Sequence, residues 1–158
     1  MPISPPIRHM IACIVFIALS ACSDSQNSST AGPVPIGQDD ICHVCGMVMT
    51  DVPGPKGELS FQGESSPLKF CSVSEMMIFL QQPENADRRA TAWVHDMGSG
   101  DWLRPESHTF IDAQSAWYVS GHSRRGGMGH ALASFAERND AVRFQQRYGG
   151  SLVRFSEL

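Results

Sequence analysis

The spacing of apolar positions along the chain predicts two helices set among short strands. Apolar residues recur at helical intervals over 68–82 and again over 132–148, where Pro83 and the pair Gly149-Gly150 would end the helices. Runs rich in β-branched, aromatic and other apolar residues predict strands at 44–50, 58–62, 90–94, 109–111, 115–120 and 151–155. The pattern therefore indicates an α+β fold.

The two halves of this pattern resemble each other. Each predicted helix carries two phenylalanines nine positions apart: Phe70 with Phe79, and Phe135 with Phe144. Ser72 or Ser74 can cap the first helix. We predict two similar ββαβ units, residues 36–97 and 98–158, which pack together because each alone is too small to bury enough apolar surface.

The N-terminal segment is predicted to lie outside this fold. Arg8 precedes a short apolar run, Met10–Leu19, and small residues then lead to Cys22. This succession has the charge, apolar stretch and cleavage site of a secretory signal, and its end resembles the lipobox of bacterial lipoproteins. We expect residues 1–21 to be removed, Cys22 to carry the lipid and residues 22–35 to form a flexible tether.

Export changes how the cysteines are interpreted. Ser23 follows the lipidated residue, and by resemblance to known lipoprotein sorting this favours the outer membrane, with the mature chain in the periplasm. Cys13 would be lost with the signal and Cys22 carries the lipid. Three of the five cysteines remain: Cys42, Cys45 and Cys71. Because an odd number of thiols cannot form a complete disulfide framework, at least one is free or bound to something.

Composition excludes several functions. The formal net charge of −4 gives no basic footprint for nucleic acid. No apolar run reaches about 18 residues, so no segment is predicted to span a membrane alone. The sequence contains no phosphate-binding loop, nucleophile elbow or His-Glu-x-x-His motif, and its acidic residues are scattered. We therefore expect a binding protein and not an enzyme.

The strongest chemical signal is the Cys-x-x-Cys motif formed by Cys42 and Cys45. A redox dithiol normally opens a helix, whereas Gly46 and a strand-favouring stretch follow here. A structural zinc site needs four ligands, usually from two such motifs, and the chain has one. Cu(I) prefers thiolate and thioether ligands, and Met47 and Met49 would share a strand face with Cys45. Met47 could equally fill the core, and Met49 is interpreted mainly as a core residue.

A second cluster lies in a glycine-rich loop, predicted over residues 121–129. Met128 is flanked by glycines in a polar context, which is untypical of core packing, and a thioether ligand would explain it. His122 ends the preceding strand, and neutral imidazole is a common copper ligand. A solvated histidine is the alternative. Cys71 is interpreted as a buried helix thiol.

The ordered set of motifs resembles the NosL family. The resemblance begins at Cys42-His43-Val44-Cys45-Gly46-Met47 after a lipoprotein signal, and covers roughly residues 39–157. Its other features are Pro53-Gly54-Pro55-Lys56, the Phe70 to Phe79 helix, Ala116-Trp117-Tyr118-Val119, Met128-Gly129 and Gly149-Gly150. The family's fold is described as two similar ββαβ units, in agreement with the repeat.

The resemblance implies a function and a set of ligands. NosL proteins are periplasmic lipoproteins that bind Cu(I) and serve maturation of nitrous-oxide reductase in denitrification. Matching positions imply ligation by Cys45, Met47, Met128 and His122, with Cys42 as an accessory thiol. The implied partners are apo nitrous-oxide reductase and its associated membrane transporter complex. The resemblance thus predicts a metallochaperone tethered to the membrane by its lipid.

Two other functions remain open on the residues alone. The first is a periplasmic thiol–disulfide reductant that protects copper-site cysteines through a reversible Cys42–Cys45 disulfide. The second is a purely structural lipoprotein whose sulfur residues are core. Copper titration of the reduced protein would separate these from the chaperone.

Overall fold

The computed structural model describes residues 32–158. Its two α-helices are α1, Val73–Leu80, and α2, Arg138–Tyr148. Its strands are β1 Gly57–Phe61, β2 Leu68–Phe70, β3 Ala90–His95, β4 Phe110–Asp112, β5 Trp117–Ser120, β6 Arg125–Gly126, β7 Gly129–His130, β8 Ala133–Phe135 and β9 Ser151–Arg154. The predicted signal peptide, the lipidated Cys22 and most of the predicted tether lie outside the described residues.

The strands form two antiparallel sheets and one short hairpin. The first sheet has the order β2-β1-β3-β4, the second has the order β8-β5-β9, and β6 pairs with β7. Helix α1 packs on β1 and β2, and α2 packs on β5, β8 and β9. β1-β2-α1-β3 and β5-β8-α2-β9 each have the order strand, strand, helix, strand, but β4, from the predicted second unit, joins the first sheet, and the β6–β7 hairpin is inserted after β5. The α+β class is as predicted.

Both helices begin later than predicted. Residues 68–70 and 133–135, which were predicted to lie in the helices, form strands instead. An extended N-cap residue then precedes each helix. Ser72, at φ −145° and ψ 152°, caps α1 by accepting a 3.1 Å hydrogen bond from the Glu75 amide. Glu137, at φ −105° and ψ 133°, plays the corresponding role before α2 without a side-chain cap. Helix α2 ends at Tyr148, and Gly149, with φ 75°, is its C-cap.

The strand predicted at 44–50 is wrong, and a tight turn takes its place. The Gly46 amide donates to the Cys42 carbonyl at 3.0 Å, and the Cys42 amide donates to the Met47 carbonyl at 2.9 Å. Gly46 has φ 70°, a left-handed conformation that glycine adopts without strain and that ends the extended path. We call residues 42–47 the cysteine knuckle. A 3₁₀ turn, Met49–Asp51, follows it.

Three groups of buried side chains hold the fold together. The largest lies between the first sheet and α1 and includes Tyr118 and Leu132 from the second half, so the two halves share a core. A second group lies under α2. The third surrounds the cysteine knuckle and contains Ile36, Cys42, Met49, Val52 and Cys71. In residues 32–158, no helix has the length and apolarity needed to cross a bilayer.

Candidate metal site

Three thiols and one carboxylate converge where the cysteine knuckle meets the start of α1. The ligand atoms of Cys42, Cys45, Cys71 and Glu75 all lie within 4.8 Å of one another. The Cys45 and Cys71 sulfurs are 3.5 Å apart, and the Cys71 thiol donates to Glu75 Oε2 at 2.8 Å. We call these four residues the thiol cluster. Soft thiolates at this spacing can converge on one metal ion.

Backbone hydrogen bonds explain why residues so distant in sequence meet here. The knuckle is tied to β2, because the His43 amide donates to the Lys69 carbonyl at 2.8 Å. Just beyond β2, the Cys71 amide donates to the Cys42 sulfur at 3.3 Å. The cap of α1 then places Glu75 in the first turn of the helix, facing the thiol four positions before it.

The thiols of the cluster differ in their exposure to solvent. Cys42 is 2% exposed and Cys71 is fully buried, whereas Cys45 is partly exposed. Met47 is partly exposed as well and packs against the same buried group. An incoming metal ion would therefore meet Cys45 and Met47 first. Met49 is fully buried and serves as core.

The Cys71 thiol is protonated in the metal-free protein at neutral pH. Burial raises its pKa far above the ordinary thiol value, and the hydrogen bonds to Glu75 and Cys45 raise it further. A metal ion that binds this sulfur must therefore displace a proton, and the adjacent Glu75 carboxylate already accepts that proton in a hydrogen bond.

Met128 lies on the turn of the β6–β7 hairpin, which packs against Val52. Gly127 is so close to Val52 that an added Cβ would lie 2.3 Å from Val52 Cγ1. Trp102 fixes this arrangement, since its indole donates to the Arg125 carbonyl at 2.9 Å and its own carbonyl accepts from the Gly54 amide at 2.7 Å. Met128 itself is 57% exposed. The structure thus places this residue on a projecting turn next to the group that contains the thiols.

His122 lies elsewhere, in the aromatic group of the second half. Its ring is 3% exposed and meets Trp102 and Phe144 edge to face, with centroid distances of 5.4 and 4.9 Å. Neither ring nitrogen has a hydrogen-bond partner among the described residues. Burial lowers the pKa of His122, so its ring is neutral at pH 7. His122 is not one of the four residues of the thiol cluster, and its role as a ligand stays a prediction.

Comparison with known proteins identifies the family. The NosL family model matches residues 33–158. The chain belongs to the NosL family. The copper-binding lipoprotein NosL of Stutzerimonas stutzeri is 41% identical over 150 residues, which cover 94% of this chain and 78% of that protein. The protein of the same name from Achromobacter cycloclastes is 30% identical over 155 residues, 96% of this chain and 80% of that one.

A solved NosL structure supports the fold as well. The crystal structure of the copper chaperone NosL from Shewanella denitrificans matches with a TM-score of 0.75 and 40% identity. The match covers 82% of this chain and 96% of that one. The sheets and helices described above are therefore those of a NosL protein.

Two residues of the thiol cluster were not predicted as site residues. Cys71 is buried, as predicted, but it precedes α1 and faces the knuckle, and Glu75 carried no prediction of its own. Two signals in the sequence point to them in retrospect. One is the odd number of thiols, and the other is a cysteine and a glutamate four positions apart across a capped helix start. Cys42, expected to be accessory, is a full member of the cluster.

Proposed function

We propose that this protein binds copper as Cu(I) and carries it to a partner, without catalysing a reaction. The observation that carries the proposal is the convergence of three thiols and a carboxylate within 4.8 Å. Two relatives are named copper-binding lipoproteins and a third is named a copper chaperone. A thiolate-rich site suits a soft monovalent cation.

The proposed ligands combine the predicted and the observed residues. Cys45 and Met47 face the entry side, and Cys42 and Cys71 supply the inner thiolates. Met128 is exposed on the hairpin that packs against Val52, and we propose that its thioether closes over the metal and can leave it. Thioethers are neutral at every pH, so they exchange without a proton. A partner could therefore replace exposed ligands one at a time while the buried thiolates retain the ion.

The cellular role extends the proposal beyond the site. We place the protein in the periplasm, anchored through lipid on Cys22, with the outer membrane as its location. Its partners would be apo nitrous-oxide reductase and the associated membrane transporter. Transfer of copper from the loaded protein to the apo enzyme in an anaerobic mixture, followed by recovered activity, tests this part.

Zinc is the second candidate for this site. Sequence reasoning excluded zinc because four ligands were lacking, whereas three thiolates and one carboxylate would satisfy a tetrahedral Zn²⁺ ion. The adjacent thioether of Met47 favours copper, since zinc sites use thiolate, imidazole and carboxylate. A competition between the two metals therefore belongs in the test.

The reductant alternative now concerns a different pair of thiols. It predicted a Cys42–Cys45 disulfide, whereas the Cys45 sulfur lies 3.5 Å from that of Cys71. The buried Cys71 thiol in turn donates a hydrogen bond to Glu75. The inner thiol of that pair has a raised pKa, which is unfavourable for an attacking thiolate. The geometry therefore supports metal binding better than thiol exchange.

The test is an anaerobic titration of the reduced protein with Cu(I) against a competing chelator. The wild type should bind one Cu(I) per chain, and excess Zn²⁺ should not displace it. Cys45→Ser and Cys71→Ser should each weaken binding by roughly 100-fold or more, because in structural zinc sites about 10–16 kcal/mol is shared by four ligands, about 3 kcal/mol each, and we take the same scale for Cu(I). Met128→Leu should weaken it less, and His122→Gln tests the remaining predicted ligand.

The matched control is Met77→Leu, which changes a thioether buried in the main core. This variant should bind Cu(I) as the wild type does. Unchanged affinity in both cysteine variants would contradict the site, and preferential binding of Zn²⁺ would contradict the choice of metal.

A further inference from the structure

Lys56 is a fully buried lysine that immediately precedes β1. Its side chain has no exposed surface, and its ammonium donates to the carbonyls of Val52 at 2.5 Å and Gly54 at 2.9 Å. None of the ion pairs formed within residues 32–158 includes it. The two carbonyls accept from two of the three ammonium hydrogens. Because both carbonyls are neutral, they leave the positive charge uncompensated. A buried unpaired charge is costly, and the arrangement calls for a negative partner.

Lys56 lies within electrostatic reach of the thiol cluster and of Glu106. Val52, which accepts from Lys56, belongs to the same buried group as Cys42 and Cys71. Burial lowers the pKa of Lys56 to about 8, while Cys71, Cys42 and Glu75 act in the opposite direction. Lys56 therefore keeps its charge at neutral pH and interacts with three members of the cluster.

We propose that Lys56 is the buried counter-charge of the metal–thiolate complex, and so a residue that determines which charge state of that complex the site accepts. This inference rests on the proposed function. One Cu(I) with two thiolates carries −1 and with three carries −2, and the protein buries this anion away from water. The Lys56 ammonium reduces the net charge by one and thereby favours loss of the thiol protons when the metal binds. Soft monovalent cations, Cu(I) and Ag(I), are the class served.

A purely structural role is the alternative. Lys56 could serve only to hold the loop that carries Val52 and Gly54 through its two hydrogen bonds. The two roles separate because one requires the charge and the other requires a donor. Lys56→Met removes both while keeping the length of the side chain, and Lys56→Gln removes the charge but retains N–H donors. Arg143→Met is the matched control, since it also removes one positive charge, but from the exposed side of α2, where Arg143 pairs with Asp140.

The experiment uses the reduced mature chain and measures three quantities. They are Cu(I) and Ag(I) affinity against a competing chelator, the protons released per metal ion in weak buffer, and unfolding of the metal-free protein in urea. We expect both Lys56 variants to lose roughly 10- to 100-fold in affinity for both ions, the range measured when a group behind the ligands is removed. They should also release fewer protons, while Arg143→Met matches the wild type.

Two outcomes would overturn the inference. Wild-type affinity and proton release in folded Lys56→Gln would show that donation alone matters, and this holds even if Lys56→Met fails to fold. An affinity loss that only follows a loss of folding stability would show a structural role. Failure of the wild type to bind Cu(I) would instead contradict the proposed function, so the two failures are distinguishable.

Discussion

His95 should make the folded protein sensitive to acid. It ends β3 and is 1% exposed, its ring lies 4.3 Å from that of Phe110, and its Nδ1 has no hydrogen-bond partner among residues 32–158. Burial lowers the pKa of His95 to about 2, and the neighbouring charges of His108 and Lys56 act in the same direction. The folded protein therefore excludes a proton that the unfolded chain binds readily.

The sign and size of the effect follow from this difference. The unfolded histidine has a pKa of about 6.5, so the contribution of His95 to stability is complete above that pH. As the pH falls below 6.5, only the unfolded state gains the proton, and stability decreases by about 1.4 kcal/mol per pH unit. At pH 4.5 the loss from this one residue should be about 2.7 kcal/mol. The loss ends only near pH 2, where the folded form can also bind the proton.

The assay is urea unfolding of the metal-free protein at several pH values between 7 and 4.5. His95→Gln cannot take up a proton, so its stability should fall less steeply than that of the wild type, and the two curves should converge in acid. His130→Gln replaces an exposed histidine and is the control. Parallel curves for the wild type and His95→Gln would refute the reasoning, because carboxylates affect both proteins equally.

Two other predictions concern packing and thiol chemistry. Gly57→Ala should destabilise the fold by about 1–3 kcal/mol, because the added Cβ would lie 2.6 Å from the Met76 sulfur. Urea unfolding should show this loss, while Gly37→Ala, with nothing closer than 3.5 Å, should show almost none. Treating the metal-free protein with a small disulfide oxidant should join Cys45 to Cys71, whose sulfurs are 3.5 Å apart. Peptide mapping by mass spectrometry would contradict this if the cross-link joined the Cys-x-x-Cys pair instead.

The helices and most strands could be predicted because they depend on local patterns. The apolar stripe of α1 and the glycine pair after α2 are visible in the sequence; α2 ends at Tyr148 as expected, and α1 ends at Leu80, two residues before the expected end. Their starts could not be placed, since the apolar run crosses from a strand into the helix without a break. The stretch 44–50 was predicted as a strand from its β-branched and apolar residues, but the left-handed Gly46 and the hydrogen bonds of the knuckle determine its path.

The thiol cluster could be predicted only in part from the sequence. Cys45 and Met47 could be selected as candidate ligands because their residue types and spacing are local features. Cys71 could not, because it meets Cys42 across 29 positions, and that contact depends on the knuckle docking against β2. The Lys56 side chain is similar, since nothing in its neighbouring residues indicates that a lysine there is fully buried. Sites assembled from separate elements require the tertiary structure.

The measurement that tests the central claim most directly is copper X-ray absorption on the anaerobically loaded protein. The proposed site predicts a Cu(I) edge and nearest neighbours that are mainly sulfur. It also predicts that Cys71→Ser loses part of this sulfur signal, while Met77→Leu keeps all of it. A coordination dominated by nitrogen or oxygen, or a spectrum unchanged in Cys71→Ser, would contradict copper binding in the thiol cluster.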